Sequence, residues 1–284
     1  MTRSADIAPL SVLLSRVDAV ADSISSRETL PCGFPSLDKI LGGGFRRSDL
    51  VVLGGDVGSG KSALALAFAM RASLLGARVA FLSGEMTPDR ILERVIAIEG
   101  RTRIDDLRQG TLSDVARANA GAAALRLRDH LPIIDRLRAG AGAVHLSATL
   151  SDLPDVDLVV VDSLAAVTRA TRTTDEELAG AAHALKTLAL DRAVAILTTA
   201  PLPGLDARAD RRPTLDDFGA SGGVKQHADI VLALFRQDMY EPSRDIEGAT
   251  ELLVRKNRNG PTGYVDLYFY AQWMRFEDML DPDP

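Results

Sequence analysis

The stretch Leu50-Val51-Val52-Leu53-Gly54-Gly55-Asp56-Val57-Gly58-Ser59-Gly60-Lys61-Ser62 constrains the fold more than any other. Its apolar run reads as a buried strand, ends in glycines, and leads at once into an Ala/Leu-rich helical segment, Ala63 to Ala69. Gly55, Gly60, Lys61 and Ser62 fill the G-x-x-x-x-G-K-[ST] pattern in the strand–loop–helix setting that pattern needs. Glycines let the loop curl so that the backbone N–H groups of Gly55 through Gly60 point inward. The helix N-terminus adds its dipole, and the result is a nest for a polyphosphate. Lys61 supplies a point charge for the terminal phosphates, and the Ser62 hydroxyl can join the shell of a Mg²⁺ ion. The competing reading, a glycine-rich turn that binds nothing, leaves both matching flanks unexplained.

A chain of 284 residues has room for one large α/β domain and an appendage. No apolar run reaches membrane-spanning length and the polar start is unlike a signal peptide, so the expectation is a cytoplasmic protein without membrane contact. The single cysteine, Cys32, excludes an internal disulfide and reads as structural. His130, His145, His183 and His227 lack metal-ligand spacing. A net charge of −6 and a pI near 5.3 argue against a surface that coats duplex DNA, though not against contact through a few loops.

Residues 1–28 stand apart from 29–284. Ile7, Leu10, Leu14, Val17, Ala21 and Ile24 form the apolar seam of an amphipathic helix, which must pack on its own subunit or on a neighbour. Pro31, Gly33 and Pro35 read as a linker. Beyond the phosphate loop, strand-like runs at Arg78–Ser83, Leu131–Ile134, Leu158–Asp162 and Ala193–Leu197 alternate with helical stretches. These helices start at Thr87-Pro88-Asp89 (buried face Ile91, Leu92, Val95, Ile96) and span about 113–128 and 175–191. Uninterrupted apolar strands of this kind belong to a parallel sheet flanked by helices. The tail differs: Ile230–Phe235, Thr250–Arg255, Tyr264–Tyr270 and Ala271–Phe276 read as strands in antiparallel hairpins.

Four groups carry candidate chemistry. Asp162 closes an apolar strand, the place for an acid that holds the Mg²⁺ shell; the alternative is a helix N-cap. Glu85, at the end of the strand after the phosphate-loop helix, is either a base for an attacking water or a surface acid starting a turn. Lys256 and Arg258 lie two apart before the turn Asn259-Gly260-Pro261. They are either finger cations delivered from a hairpin tip into another subunit's phosphate site or a solvated basic turn. In the long loop from Pro201 to Gln226, Arg208, Arg211, Arg212 and Lys225 look like phosphate contacts, but Asp206, Asp210, Asp216 and Asp217 offset them.

With these residues in place, the chain from about Pro31 to Met279 resembles the C-terminal RecA-like motor domain of DnaB-type replicative helicases. The resemblance is carried by Gly33-Phe34-Pro35-Ser36-Leu37-Asp38, the phosphate loop, Phe81-Leu82-Ser83-Gly84-Glu85-Met86-Thr87 and Val159-Val160-Val161-Asp162-Ser163-Leu164. It continues through Arg208-Ala209-Asp210-Arg211-Arg212-Pro213, Ser221-Gly222, Gln226, Ala228-Asp229, Lys256 to Pro261 and Gln272-Trp273-Met274-Arg275-Phe276. It implies an α/β RecA-like P-loop NTPase that hydrolyses ATP with Mg²⁺ at the interfaces of a homo-oligomer, a hexameric ring, on single-stranded DNA. It assigns Glu85 as the catalytic glutamate, Lys256 and Arg258 as the in-trans pair, and helix 7–24 as a linker helix on the adjacent subunit. Three departures stand out: no counterpart of the family's N-terminal collar domain, Ala200 where the family has a glutamine, and Gly219-Ala220 where it has Arg-Glu. The rival expectation is a non-translocating RecA-like switch whose ATP state controls assembly.

Overall fold

A computed structural model of the chain describes residues 28–138, 142–168, 174–202, 205, 208–219, 223–242 and 244–279. The expected helix at 7–24 lies outside the described residues, as do Ala220, Ser221 and Gly222.

Short strands β1 (Thr29–Leu30) and β2 (Phe45–Arg46) pair antiparallel around helix α1 (Pro35–Leu41). The main sheet is built on β3 (Leu50–Gly55), β4 (Val79–Ser83), β5 (Ile133–Arg136), β6 (Leu158–Asp162), β7 (Ala195–Pro201) and β8 (Ile230–Arg236), all mutually parallel. It is completed by antiparallel strands β9 (Ala249–Asn257), β10 (Gly263–Tyr270) and β11 (Arg275–Asp278). The order is β11-β10-β9-β8-β3-β7-β6-β4-β5, so the phosphate-loop strand β3 sits between β7 and β8. Helices α2 (Lys61–Leu74), α3 (Pro88–Gly100), α4 (Ile104–Gln109), α5 (Asp114–Leu127), α6 (Gly142–Asp152), α7 (Asp175–Arg192) and α8 (Gly223–His227) connect the strands.

Both faces of β3 are buried, as an uninterrupted apolar run requires. Val51 and Leu53 join a core with Phe34, Phe45, Phe68 and Phe276 on one side. Leu50 and Val52 face a second core with Leu185 and Leu188 of α7 on the other. Helix α2 is apolar all round, which marks a helix buried on every side. Its cation Arg71 is satisfied by Gly33 O at 2.7 Å and Glu277 at 2.6 Å, and lies over the Phe34 ring at 4.1 Å.

Several sequence expectations shift. Pro31 to Pro35 is no linker: Cys32 and Phe34 are fully buried and Pro35 opens α1. Leu92 is exposed and Ile96 only half-buried, because the stripe of α3 is centred on Ile91, Val95 and Ile98. Thr87 is extended at the N-cap of α3, but its hydroxyl makes no capping bond. Strand β7 starts two residues later than expected, because Ala193 ends α7 in a left-handed conformation (φ 49°). Strand β5 likewise begins at Ile133 rather than Leu131. Ala271–Trp273 forms a 3₁₀ turn and Met274 takes φ 53°, so β11 begins only at Arg275.

Candidate active site

The phosphate loop leaves β3 and closes on α2 at the C-terminal edge of the parallel strands, where α/β sheets hold their ligands. Gly58 and Gly60 adopt φ of 83° and 101°, and a Cβ on Gly60 would sit 2.9 Å from the Phe276 ring. Ser59 N donates to Asp56 O at 3.2 Å, and Lys61 Nζ reaches back across the loop to the same carbonyl at 2.7 Å. The Asp56 carboxylate turns outward, accepting from Val57 N (2.7 Å) and the Tyr240 hydroxyl (2.8 Å). Among the expected cradle residues, Asp56 and Val57 therefore offer backbone rather than side chains; Val57 is 76% exposed.

The expected acids meet this loop. Ser62 Oγ donates to Asp162 Oδ1 at 3.1 Å across α2 and β6, and Thr199 Oγ1 of β7 donates to the same oxygen at 2.6 Å. Asp162 is 1% exposed, and its Oδ2 is buried without a hydrogen-bond partner. Ser59 Oγ is orphaned in the same way. A buried unpaired carboxylate oxygen is costly. Beside a serine hydroxyl and a glycine nest it fits a hard divalent cation held by oxygen ligands next to a polyphosphate. Burial raises the Asp162 pKa; the Thr199 bond opposes this and the Glu85 charge adds to it. Burial pulls the Lys61 pKa down, against the carboxylates of Asp56, Asp162 and Glu85.

Glu85 leaves β4 beside Asp162 and lines the same cavity of about 440 Å³, with Lys61, Ser62, Arg94 and Thr199. Its backbone N–H donates to Ser83 Oγ (3.2 Å), and Ser163 Oγ donates to its Oε1 at 2.7 Å. Glu85 itself is exposed, with its carboxylate held by that hydroxyl.

Two residues in this cavity carry no mark in the sequence reading. Arg94 of α3 has a buried Nε without a partner and feels both Asp162 and Glu85. The available signal was a cation inside the apolar stripe Ile91–Val95–Ile98. Strand alternation turns Thr199 to the cavity and Ala200, the position where the family has a glutamine, to the second core. A polar side chain thus does stand at the end of β7.

Lys256 and Arg258 lie elsewhere. Lys256 pairs with Val231, at the start of β8, while Gly55 pairs with Leu234. Lys256 is the penultimate residue of β9, and Arg258 opens the turn that follows, its side chain 50% exposed. Lys256 Nζ donates to Lys225 O at 2.6 Å, and Arg258 forms an ion pair with Asp229, its Nε 2.9 Å from Oδ1. The loop cations are also paired: Arg208 with Asp217, Arg211 with Glu241, Arg212 with Glu251 in a two-bond fork, and Lys225 with Asp216.

Residues 29–278 match the model of the DnaB-like helicase C terminal domain. The chain belongs to that family. It is 28% identical over 263 residues to the replicative DNA helicase DnaC of Bacillus subtilis, covering 88% of this chain and 56% of that protein. It is 30% identical over 277 residues to the replicative DNA helicase DnaB of Leifsonia xyli, covering 95% and 60%. The chain therefore spans little more than half the length of these relatives. In structure it resembles a solved DnaB-like replicative helicase (TM-score 0.82, 22% identity, 98% of this chain and 68% of that one). It also resembles a KaiC-like protein of Pyrococcus horikoshii (TM-score 0.60, 16% identity, 88% of this chain and 98% of that one). The fold is RecA-like, as the family's motif order implied.

Proposed function

We propose that this chain is an ATP-hydrolysing motor domain of the DnaB-like helicase type, Mg²⁺-dependent and active as a homo-oligomeric ring on single-stranded DNA. The observation that carries the chemistry is the Asp162 carboxylate, shared by Ser62 and Thr199 through one oxygen and left buried and unpartnered at the other. A Mg²⁺ ion held there would supply positive charge against the charge that develops on the phosphate. Ser62 and Asp162 would hold it, while the backbone of Gly55 to Gly60 and the Lys61 ammonium hold the phosphates. Glu85 takes a proton from the attacking water as the water oxygen bonds to the terminal phosphorus and the bond to the bridging oxygen breaks. Lys256 and Arg258 of a second copy complete the charge stabilisation from outside the pocket. Their place at the far end of the strands keeps them from their own subunit's loop.

A direct test is Glu85→Gln. It should bind ATP as tightly as the parent and lose turnover by at least about a hundredfold, on the order expected for a general base. Unchanged turnover would remove Glu85 from this role.

One observation favours a second reading, a RecA-like switch that assembles with ATP and does not translocate. Arg208, Arg211, Arg212 and Lys225 are all engaged by acids of their own chain. Hydrolysis rates with and without single-stranded DNA separate the two: strong stimulation supports the motor, and ATP-dependent assembly without stimulation supports the switch. Mass measured with and without an ATP analogue and Mg²⁺ gives the subunit number.

A further inference from the structure

The end of the sheet remote from the phosphate loop holds a second cluster of charges that the chemistry above does not use. Asp229, between α8 and β8, is 2% exposed. Its Oδ2 accepts from Leu50 N at 2.8 Å and Lys186 Nζ at 2.6 Å, and its Oδ1 forms an ion pair with Arg258, whose Nε lies 2.9 Å away. Its main chain is engaged as well: Asp229 N donates to Leu50 O and Arg258 N donates to Asp229 O, both at 2.9 Å. One buried aspartate thus ties the first residue of β3, helix α7 and the turn after β9 to a common point.

Its effect on Arg258 is directional. The inner edge of the guanidinium is fixed by Nε on Asp229. Arg258 Nη2 lies 3.4 Å from Gln226 O, and the side chain stays 50% exposed. The outer edge is therefore turned to solvent in a set orientation. Lys256 is held alongside by Lys225 O. The turn that carries both is stiffened by Asn257, which donates to Pro261 O and accepts from Asn259 N. Anchoring removes much of the rotamer entropy that a free arginine would lose on meeting a phosphate. The direction is away from this subunit's own loop. Val52, level with Lys256 across β8, lies three residues before Gly55, roughly 10 Å along the strand.

We infer that Asp229 is a positioning residue: it aims the Arg258 guanidinium outward, toward the nucleotide phosphates held by an adjacent copy of the chain. The inference rests on the in-trans reading of Arg258 proposed above. Lys186, also bonded to Ser48 O at 2.7 Å, keeps a cation against Asp229 beneath the strand ends whether or not Arg258 is engaged.

The test compares Asp229→Asn, Arg258→Ala and the double variant in the assembled oligomer, by ATP turnover, KM for ATP, oligomer mass and melting temperature. Asn keeps an oxygen for Leu50 N and Lys186 but can present an amide N–H to Arg258. Asp229→Asn should lower kcat at least tenfold with KM and mass unchanged, and the double variant should be no slower than Arg258→Ala alone. A purely structural role would lower the melting temperature and add its loss to that of Arg258→Ala. Multiplying losses, or parental kcat in Asp229→Asn beside a slow Arg258→Ala, overturn the inference alone. A fully active Arg258→Ala overturns the in-trans reading and this inference with it. Should Asp229→Asn not fold, Asp229→Glu keeps the charge and moves the anchor by one methylene. A tenfold loss of kcat at unchanged KM then supports the assignment, and parental kcat overturns it.

Discussion

The two ends of the parallel strands treat a buried aspartate in opposite ways. At the C-terminal end, Asp162 keeps one oxygen without a partner, and Ser59 Oγ in the phosphate loop is equally unsatisfied. At the N-terminal end, both oxygens of Asp229 are occupied by donors from three elements. An orphaned polar atom in a buried site costs free energy that a ligand can return, whereas a completed network holds geometry without one. The first end is built to receive, the second to hold a cation in place.

Removing each aspartate sharpens that contrast. Asp162→Ala should lower Mg²⁺-dependent ATP turnover on the order of a thousandfold, about 4 kcal/mol. Its ligand-free melting temperature should stay level or rise, because a costly buried oxygen disappears. A drop of several degrees would break the comparison. Asp229→Ala should do the reverse to the folded state: chemical denaturation should show a loss of about 3 kcal/mol, since Lys186 and Arg258 lose a buried partner. Denaturation curves that overlay the parent would contradict the network.

A third variant probes the same end through pH. Burial and the neighbouring Asp229 push the Asp49 pKa from 3.8 up to about 6. The folded state therefore binds this proton more tightly than the unfolded chain. The associated stability is complete below pH 3.8 and is lost as pH rises through about 6. Asp49→Asn should thus gain about 2 kcal/mol at pH ~7.5 and almost nothing at pH ~4, read from melts across that range. Equal gains at both pH values would show that the Asp49 charge is not the cause. The smallest effect is expected from Thr199→Val. Deleting one of two donors to Asp162 Oδ1 should slow turnover about tenfold, on the order of 1 kcal/mol, without altering the melt. Parental turnover would leave Thr199 a spectator at the end of β7.

Much of the site was legible because its residues are contiguous or close a recognisable strand. The phosphate loop needs glycines, a lysine and a hydroxyl at set offsets, and Asp162 and Glu85 end apolar strands. Arg94 and Thr199 were not legible. Each sits inside an element whose pattern is dominated by core packing, and only the turn of the helix or the alternation of the strand aims it at the cavity. The same limit explains Leu92 and Ile96, where a four-residue apolar set did not reveal which line along α3 faces inward. Pro31 to Pro35 misled for a different reason. Proline and glycine mark a break in regular structure, but a break can still be packed, and here Phe34 lies edge-on to Phe68 at 5.3 Å between ring centroids.

Local order along the chain determined the alternation of strand and helix, the phosphate loop and the family of the domain, because period, turn chemistry and motif spacing act over a few residues. Tertiary structure decided which charges meet. Lys256 and Arg258 read alike in sequence whether they project into solvent or lie against Asp229, and the loop arginines read alike whether free or paired. Those outcomes depend on partners from 9 to 39 residues distant. Long cationic side chains take the carboxylate or carbonyl that the fold brings within reach, and for Lys256 and Arg258 that choice follows from the packing of β8, β9 and α8 rather than from any local pattern.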